Sequence, residues 1–388
     1  MKKPILLFII AAMTAGCFVQ HTKQDLVRTQ QAGNMKRHPG KTSKHTIQTN
    51  IDPVQNLFII TLDGFRWQEV FNGADALLIN DKDFTPEDSL LKTLYWSSNA
   101  EERRQRLMPF FWNVIGKKGQ IYGNRAYSNN VNVVNNYDLS YPGYNEIFTG
   151  YPDPHISSNR RRLNPNTNVL EYLNTRAEFH NKVVAFTSWD VFPYIFNENR
   201  SGFLINSGYD TLNSEAPLEE ETLINNTEED LVYDKAHTRY DQLTYLAAKE
   251  YLKHYHPKVL YLSLGETDEF AHEGRYDLYL QQANQVDKMI ADLWHWVQTT
   301  PGYSNNTTFI ITTDHGRGTK DKWISHAEFI KGSSQTWLAL MGPGICPLGE
   351  VKEPKQLFQQ QLAQAIAHLL GEEFKIKFDG YHPTPLFY

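Results

Sequence analysis

Three aspartates stand directly behind three short apolar runs. Asp63-Gly64-Phe65-Arg66 follows the run from Val54 to Thr61, and Asp314-His315-Gly316 follows Thr308 to Thr313. Gly265-Glu266-Thr267-Asp268 follows Val259 to Ser263, with His272 four residues on. A single aspartate in such a place is usually a helix cap or turn residue. Three of them, two accompanied by a histidine, concentrate more negative charge than a folded chain holds without a cation to offset it. Asp268 and His272 are spaced i and i+4, hence on one helical face, as a two-residue grip on a metal requires. Asp314 and His315 are adjacent, so a sharp turn at Gly316 has to aim both side chains inward. His326, in Trp323-Ile324-Ser325-His326, comes eleven residues after His315. The two cysteines, Cys17 and Cys346, make neither a disulfide framework nor a thiolate zinc module. Any metal would therefore be held by Asp, His, Glu or hydroxyl groups.

The elements that must position these groups are legible as alternating patterns. The runs Val54 to Thr61, Val183 to Phe186, Val259 to Ser263 and Thr308 to Thr313 are nearly continuous in apolar residues, the signature of strands buried on both faces. Between them lie amphipathic stretches such as Tyr240 to Tyr255 and Tyr279 to Val297, the latter with Leu280, Ala283, Val286, Ile290, Leu293 and Trp294 at helical spacing. Strand and helix in alternation predict an α/β three-layer sandwich around a largely parallel sheet, with functional groups gathered at the carboxyl ends of the strands. Two stretches read as loop insertions, 75–106 and 197–234, the second with an acidic run from Glu215 to Glu221.

The 388 residues, 40% apolar and 21% charged, suffice for a full globular core. One long apolar run, Ile5 to Ala15 at the extreme N terminus, excludes a polytopic membrane protein. Residues 1–16 have the layout of an export signal: Lys2 and Lys3, the apolar Pro4 to Met13, then Thr14-Ala15-Gly16 before Cys17. Small residues before a cysteine resemble the lipobox of bacterial lipoproteins, in which the chain is cut before the cysteine and that cysteine is lipidated. Cys17 would then anchor the protein, each buried methylene of its acyl chains contributing roughly 0.8 kcal/mol. Residues 17–52 read as a flexible basic tether, with six Lys/Arg against one acid over 17–50, suited to lie near anionic headgroups. The formal net charge of -6 leaves the body, 53–388, strongly acidic, which argues against a nucleic acid polymer as partner. The expected location is that of an exported, membrane-anchored lipoprotein, periplasmic or on the cell surface.

Four segments, NLFIITLDGF, LSYPGYNEIFTGYPDP, GETDEFAHEGRY and ITTDHG, resemble in this order the alkaline phosphatase superfamily, closest to its nucleotide pyrophosphatase/phosphodiesterase branch. The similarity spans most of 56–344. It implies an alkaline phosphatase-like fold and two divalent metal ions, zinc or alternatively manganese. One ion would be held by Asp268, His272 and His326, the other by Asp63, Asp314, His315 and the hydroxyl of Ser140. Ser140 falls where the family places its nucleophile, before a Tyr-Pro turn and the run Thr149 to Pro152. The short spacing from His315 to His326 is more similar to the phosphoglycerate mutase and phosphopentomutase relatives, which use manganese. Ser140-Tyr141-Pro142-Gly143-Tyr144 has Tyr where sulfatases carry the Arg of their formylglycine frame, which argues against a sulfatase.

The chemistry agrees with the resemblance. A serine hydroxyl attacks poorly unless a base or metal removes its proton, and paired metals can activate one oxygen while stabilising another. Asn159 lies near the place of an amide that in the relatives hydrogen-bonds phosphoryl oxygens, and Arg160 to Arg162 could grip phosphate or form a solvated face. The expected function is a metal-dependent phosphoric ester hydrolase on a small phosphate-ester substrate, a phosphodiester before a monoester, through a phosphoserine intermediate. The alternatives are a phosphotransferase or mutase-like enzyme with the same residues, or a non-catalytic surface lipoprotein that binds glycans.

Overall fold

A computed structural model describes residues 53–213, 218–231 and 237–376. The chain divides into 1–49 and 50–388, and every described residue belongs to the second unit. The export signal, the tether and Cys17 lie outside the described residues.

Eleven strands alternate with helices: β1 Asn56–Leu62, β2 Gly119–Tyr122, β3 Asn129–Asn132, β4 Val183–Thr187, β5 Leu204–Ser207, β6 Val259–Leu264, β7 Thr307–Thr312, β8 Gln335–Thr336, β9 Leu338–Met341, β10 Gly349–Glu350 and β11 Lys355–Phe358. Eight of them form one sheet in the order β10-β2-β9-β7-β1-β6-β4-β5, and β11-β3-β8 form a small second sheet. In the large sheet β9 runs antiparallel to both its neighbours, while every other pairing is parallel. The largely parallel sheet expected from the apolar runs is therefore the observed one.

Every residue of β1, β6 and β7 is buried, which is why these strands read as unbroken apolar runs. Their side chains alternate between two cores. Phe58, Ile60 and Leu62 face one, together with Leu260, Leu262, Phe309 and the buried faces of helices Asp241–Tyr255 and Tyr276–Thr299. Leu57 and Ile59 face the other, with Tyr261, Ile310 and helices Ser140–Thr149 and Leu362–Leu369. Each such side chain removed from water contributes roughly 1.5–3 kcal/mol, so helices on both faces are what such strands require.

Register decides where the chemistry falls. Leu62 lies opposite Leu264, and Thr61 opposite Thr312. The residues that follow, Asp63, Gly265 and Thr313, consequently leave the sheet side by side at its carboxyl edge.

The two expected loop insertions are structured. Within 75–106 lie helices Asp88–Tyr95 and Ala100–Leu107, whose Leu91, Tyr95 and Leu107 enter the first core; Arg104 pairs with Glu350 at 3.0 Å. Within 197–234, β5 forms an edge of the large sheet and helix Glu219–Asp230 presents Glu228 to the buried Arg239 at 3.3 Å. Helices Ala100–Leu107 and Glu219–Asp230 carry few apolar residues, and Asp88–Tyr95 is only eight residues long, so neither stretch showed a sustained helical period. The helix expected from Tyr279 to Val297 begins at Tyr276, whose buried ring stacks on Tyr279 and whose hydroxyl donates to Glu69 at 2.9 Å.

Candidate metal centre and nucleophile

Asp63, Asp314 and His315 converge within 4.8 Å of one another, and so do Asp268, His315 and His326. Short connections produce this. Gly64 turns at φ 58, a conformation that favours glycine, and a Cβ there would sit 2.4 Å from Asp268 Oδ1. Gly316 packs equally closely, since a Cβ would meet the Gln335 carbonyl at 2.3 Å, and this tight turn faces Asp314 and His315 inward as expected.

In the first group two carboxylate oxygens and an imidazole nitrogen meet with no hydrogen bond between them. Tyr144 Oη donates to Asp63 Oδ2 at 2.9 Å, and Gly64 N donates to Asp314 Oδ1 at 3.1 Å. The other oxygens, Asp63 Oδ1 and Asp314 Oδ2, are buried and have no hydrogen-bond partner among the described residues. They lie 3.4 and 3.3 Å from His315 Nε2. That ring hydrogen-bonds the Gly316 carbonyl through Nδ1 at 2.9 Å, so its proton is on Nδ1 and Nε2 carries a lone pair. Orphaned carboxylate oxygens around an imidazole lone pair, with the far atom of each residue tied back, are what a divalent cation needs. Burial, followed by the charge of Asp268, pushes the Asp63 carboxyl well up. Burial and the neighbouring Asp63 do the same to Asp314. Two buried carboxylates without a cation cannot comfortably ionise together.

Ser140 opens the helix Ser140–Thr149, almost fully buried, and its Oγ lies 3.2 Å from His315 Nε2. Its hydroxyl can donate to that lone pair. Asn159 Oδ1 accepts from Tyr141 N at 3.0 Å, so the expected phosphoryl-contacting amide sits at the first turn of the nucleophile's helix, itself exposed.

The second group brings together the expected Asp268, His272 and His326. His326 is in place despite its short spacing: its ring stacks on His315 with centroids 3.7 Å apart, and its Nδ1 donates to the Asp138 carbonyl at 2.8 Å. His272 stands at the rim, with Nε2 3.1 Å from Asp268 Oδ2 and 3.0 Å from His326 Nε2. His326 Nε2 lies 3.8 Å from Asp268 Oδ1, so all three expected residues meet, and His315 also forms a close group with Asp268 and His326.

The sequence reading missed a cation beside this group. Arg317, fully buried, pairs with Asp268 Oδ1 and points its Nη2 at His272 Nδ1, 3.3 Å away. Burial alone would raise the Asp268 carboxyl, but Arg317, then His326 and His272, hold it well below the usual range. Thr267, which donates to the Asp63 carbonyl at 2.6 Å, and Tyr144 were likewise not singled out as supports for the ligands. Of the aromatic residues near the site, Phe65 and Tyr144 are core residues. His237 pairs with Asp190 at the surface.

A carboxyl-edge cluster of Asp, His and Ser on a largely parallel sheet has the donor set that metal-assisted ester hydrolysis requires. The family model for type I phosphodiesterase / nucleotide pyrophosphatase matches residues 87–380, and the chain belongs to that family. It is a phosphoric ester hydrolase. Asp63 precedes the matched span and joins it through the β1 register. Among solved structures, the wild-type alkaline phosphatase PafA aligns with a TM-score of 0.53 at 11% identity, covering 87% of this chain and 99% of that one. The phosphonate monoester hydrolase SpPMH from Silicibacter pomeroyi aligns at 0.53 and 14%, covering 86% and 76%. The lipoteichoic acid synthase LtaP from Listeria monocytogenes aligns at 0.51 and 13%, covering 82% and 72%. These likenesses show that the fold is that of the alkaline phosphatase superfamily. No curated protein matches this chain by sequence. Enzymes of this superfamily use divalent metals, and this chain carries two groups of candidate ligands.

Proposed function

We propose that the chain hydrolyses small phosphodiesters through a phosphoseryl intermediate on Ser140, at a centre for divalent metal of the zinc type, with manganese as the alternative. The observation that carries this reading is the convergence of Asp63 Oδ1, Asp314 Oδ2 and the His315 Nε2 lone pair beside the Ser140 hydroxyl. Asp63, Asp314 and His315 would hold an ion there; Asp268, His272 and His326 form the second position implied by the resemblance. A bound divalent ion supplies charge that lowers the pKa of a neighbouring hydroxyl and offsets the phosphoryl oxygens.

The rest is done by the chain. Burial at the start of a ten-residue helix fixes Ser140 Oγ in one place, with the positive end of the helix behind it. Tyr144 and Gly64 hold the two aspartates so that their orphaned oxygens face the centre. Ser140 Oγ would attack phosphorus as the bond from phosphorus to one ester oxygen breaks, that group leaving as its alcohol with the proton the serine gives up. The resulting phosphoseryl ester is then cleaved by water at phosphorus, which returns the serine hydroxyl and releases the phosphate product. Asn159, whose Oδ1 accepts from Tyr141 N at the first turn of the helix, would donate its amide hydrogens to a phosphoryl oxygen. The same body would be exported and membrane-anchored through lipid on Cys17, a reading supported by the signal-like residues 1–16.

The test is hydrolysis of bis-p-nitrophenyl phosphate against p-nitrophenyl phosphate by the metal-loaded protein. Faster turnover of the diester supports the proposal, and faster turnover of the monoester contradicts it. Cleavage that occurs only with an added alcohol acceptor would mark a phosphotransferase.

A further inference from the structure

We propose that Arg317 is a built-in cation that takes the place of a second metal ion, so that the centre holds a single divalent ion, at Asp63, Asp314 and His315. The proposal rests on the reading of those three residues as a metal position and goes beyond it in the stoichiometry it assigns.

Arg317 is not a mobile surface group that happens to fall on Asp268. Its side chain is fully buried, and it is tethered by backbone carbonyls of the turn that follows it: Nε donates to Trp323 O at 2.8 Å and Nη2 to Ile324 O at 2.6 Å. That turn, Lys320–Ile324, is itself fixed by the buried ring of Trp323 packed on Tyr276 and Tyr279. A second support comes from Arg66, fully buried, whose Nη1 donates to Gly318 O at 3.1 Å. The guanidinium position is therefore set by the main chain, and Asp268 comes to it.

Hydrogen-bond direction then settles what the second group can offer. Arginine nitrogen only donates, so where Arg317 Nη2 meets His272 Nδ1 the imidazole nitrogen accepts and the His272 proton is on Nε2. Nε2 is the atom that faces Asp268 Oδ2 at 3.1 Å and His326 Nε2 at 3.0 Å, so His272 donates there instead of offering a lone pair to a metal. Asp268 Oδ1 is taken by Arg317. His326 Nε2, its own proton tied to the Asp138 carbonyl, accepts from His272. Arg317 and His272 thus supply the protons of the second group, the one Nε2 hydrogen of His272 being shared between Asp268 Oδ2 and His326 Nε2. In the first group Asp63 Oδ1 and Asp314 Oδ2 have no such donor.

Charge points the same way. Three carboxylates, the buried Asp63 and Asp314 and the partly buried Asp268, surround one buried guanidinium. One divalent ion brings that set to neutrality. A second would leave it strongly positive with an arginine that its main-chain tethers keep in place.

The experiment is elemental analysis and calorimetric titration of the full chain with zinc and with manganese, for wild type, Arg317→Met, Arg317→Lys and Asp268→Asn. One ion per chain in wild type and in Arg317→Lys, and two in Arg317→Met, is the expected result. Asp268→Asn should keep its one ion, which decides the matter if Arg317→Met does not fold. Two ions per wild-type chain would overturn this inference and leave the metal position itself standing, whereas none would overturn both. The inference also fails if folded Arg317→Met still holds one ion, or if Asp268→Asn loses its ion.

Discussion

Ser140 Oγ and His315 Nε2 stand 3.2 Å apart, although 175 residues separate them in the chain. Their meeting joins two layers. Ser140 begins a helix packed on one face of the sheet, and His315 leaves the end of β7 within it. A nucleophile placed this way is aligned by two rigid elements and not by a loop, which is the condition for an attack geometry that persists between turnovers.

Asp314→Asn should abolish tight metal binding. The amide keeps an oxygen to accept from Gly64 N but removes the charge that pairs with Asp63 around the ion. In wild type, metal at 100 times its dissociation constant should add about 2.7 kcal/mol of stability. Thermal melts with and without metal check this, and in Asp314→Asn the two curves should coincide.

Tyr144→Phe removes the hydroxyl that holds Asp63 Oδ2 and leaves a buried carboxylate oxygen without a donor. Supports of this kind typically carry ~10–100-fold in metal affinity. Titration calorimetry of the variant should show weakening of that order with the stoichiometry unchanged. Stability should fall by about 1–3 kcal/mol in urea melts of the metal-free protein.

Glu146 gives a pH dependence whose sign can be worked out. Burial pushes its carboxyl up to about 7, against the donors Val134 N and Asn135 N that favour ionisation. A carboxyl raised in the folded state contributes stability that is complete below its unfolded value, ~4.3, and is lost as pH climbs through about 7. The free energy of unfolding should therefore drop across that window. Glu146→Gln should flatten the drop by up to about 3 kcal/mol, judged at 1.36 kcal/mol per pH unit, when urea melts are compared across it.

Cys17→Ser should move the protein from the membrane to the soluble fraction on cell fractionation. Wild-type protein already in the soluble fraction would contradict anchoring at this residue.

The sheet and the three aspartates were legible because strands buried on both faces leave unbroken apolar runs, and the residue after each run must emerge at the carboxyl edge. Ser140 was legible only through its family resemblance, since a serine before Tyr-Pro is otherwise an ordinary cap. Arg317 was not legible at all. It precedes Lys320 and Lys322 in a polar turn, which reads as solvated, and only the carbonyls of Trp323 and Ile324 draw it inward. The contact of His272 with Arg317 was hidden for the same reason: i,i+4 spacing shows which residues share a face, but not which third residue packs on them. Short strands such as β8 and β10 carry too few residues for any periodicity to show.

The most direct test of the account is rapid acid quenching of the metal-loaded protein with bis-p-nitrophenyl phosphate, read as p-nitrophenol released in the first turnover and as mass added to the peptide carrying Ser140. A burst of one p-nitrophenol per active site and an ester-linked phosphoryl group on Ser140 are the expected results. In Ser140→Ala both should vanish while the bound metal remains and turnover drops by several powers of ten, each tenfold step being about 1.4 kcal/mol of barrier. Near-wild-type turnover by metal-loaded Ser140→Ala, with no adduct in wild type, would show that water attacks phosphorus directly and that Ser140 is only the first residue of its helix.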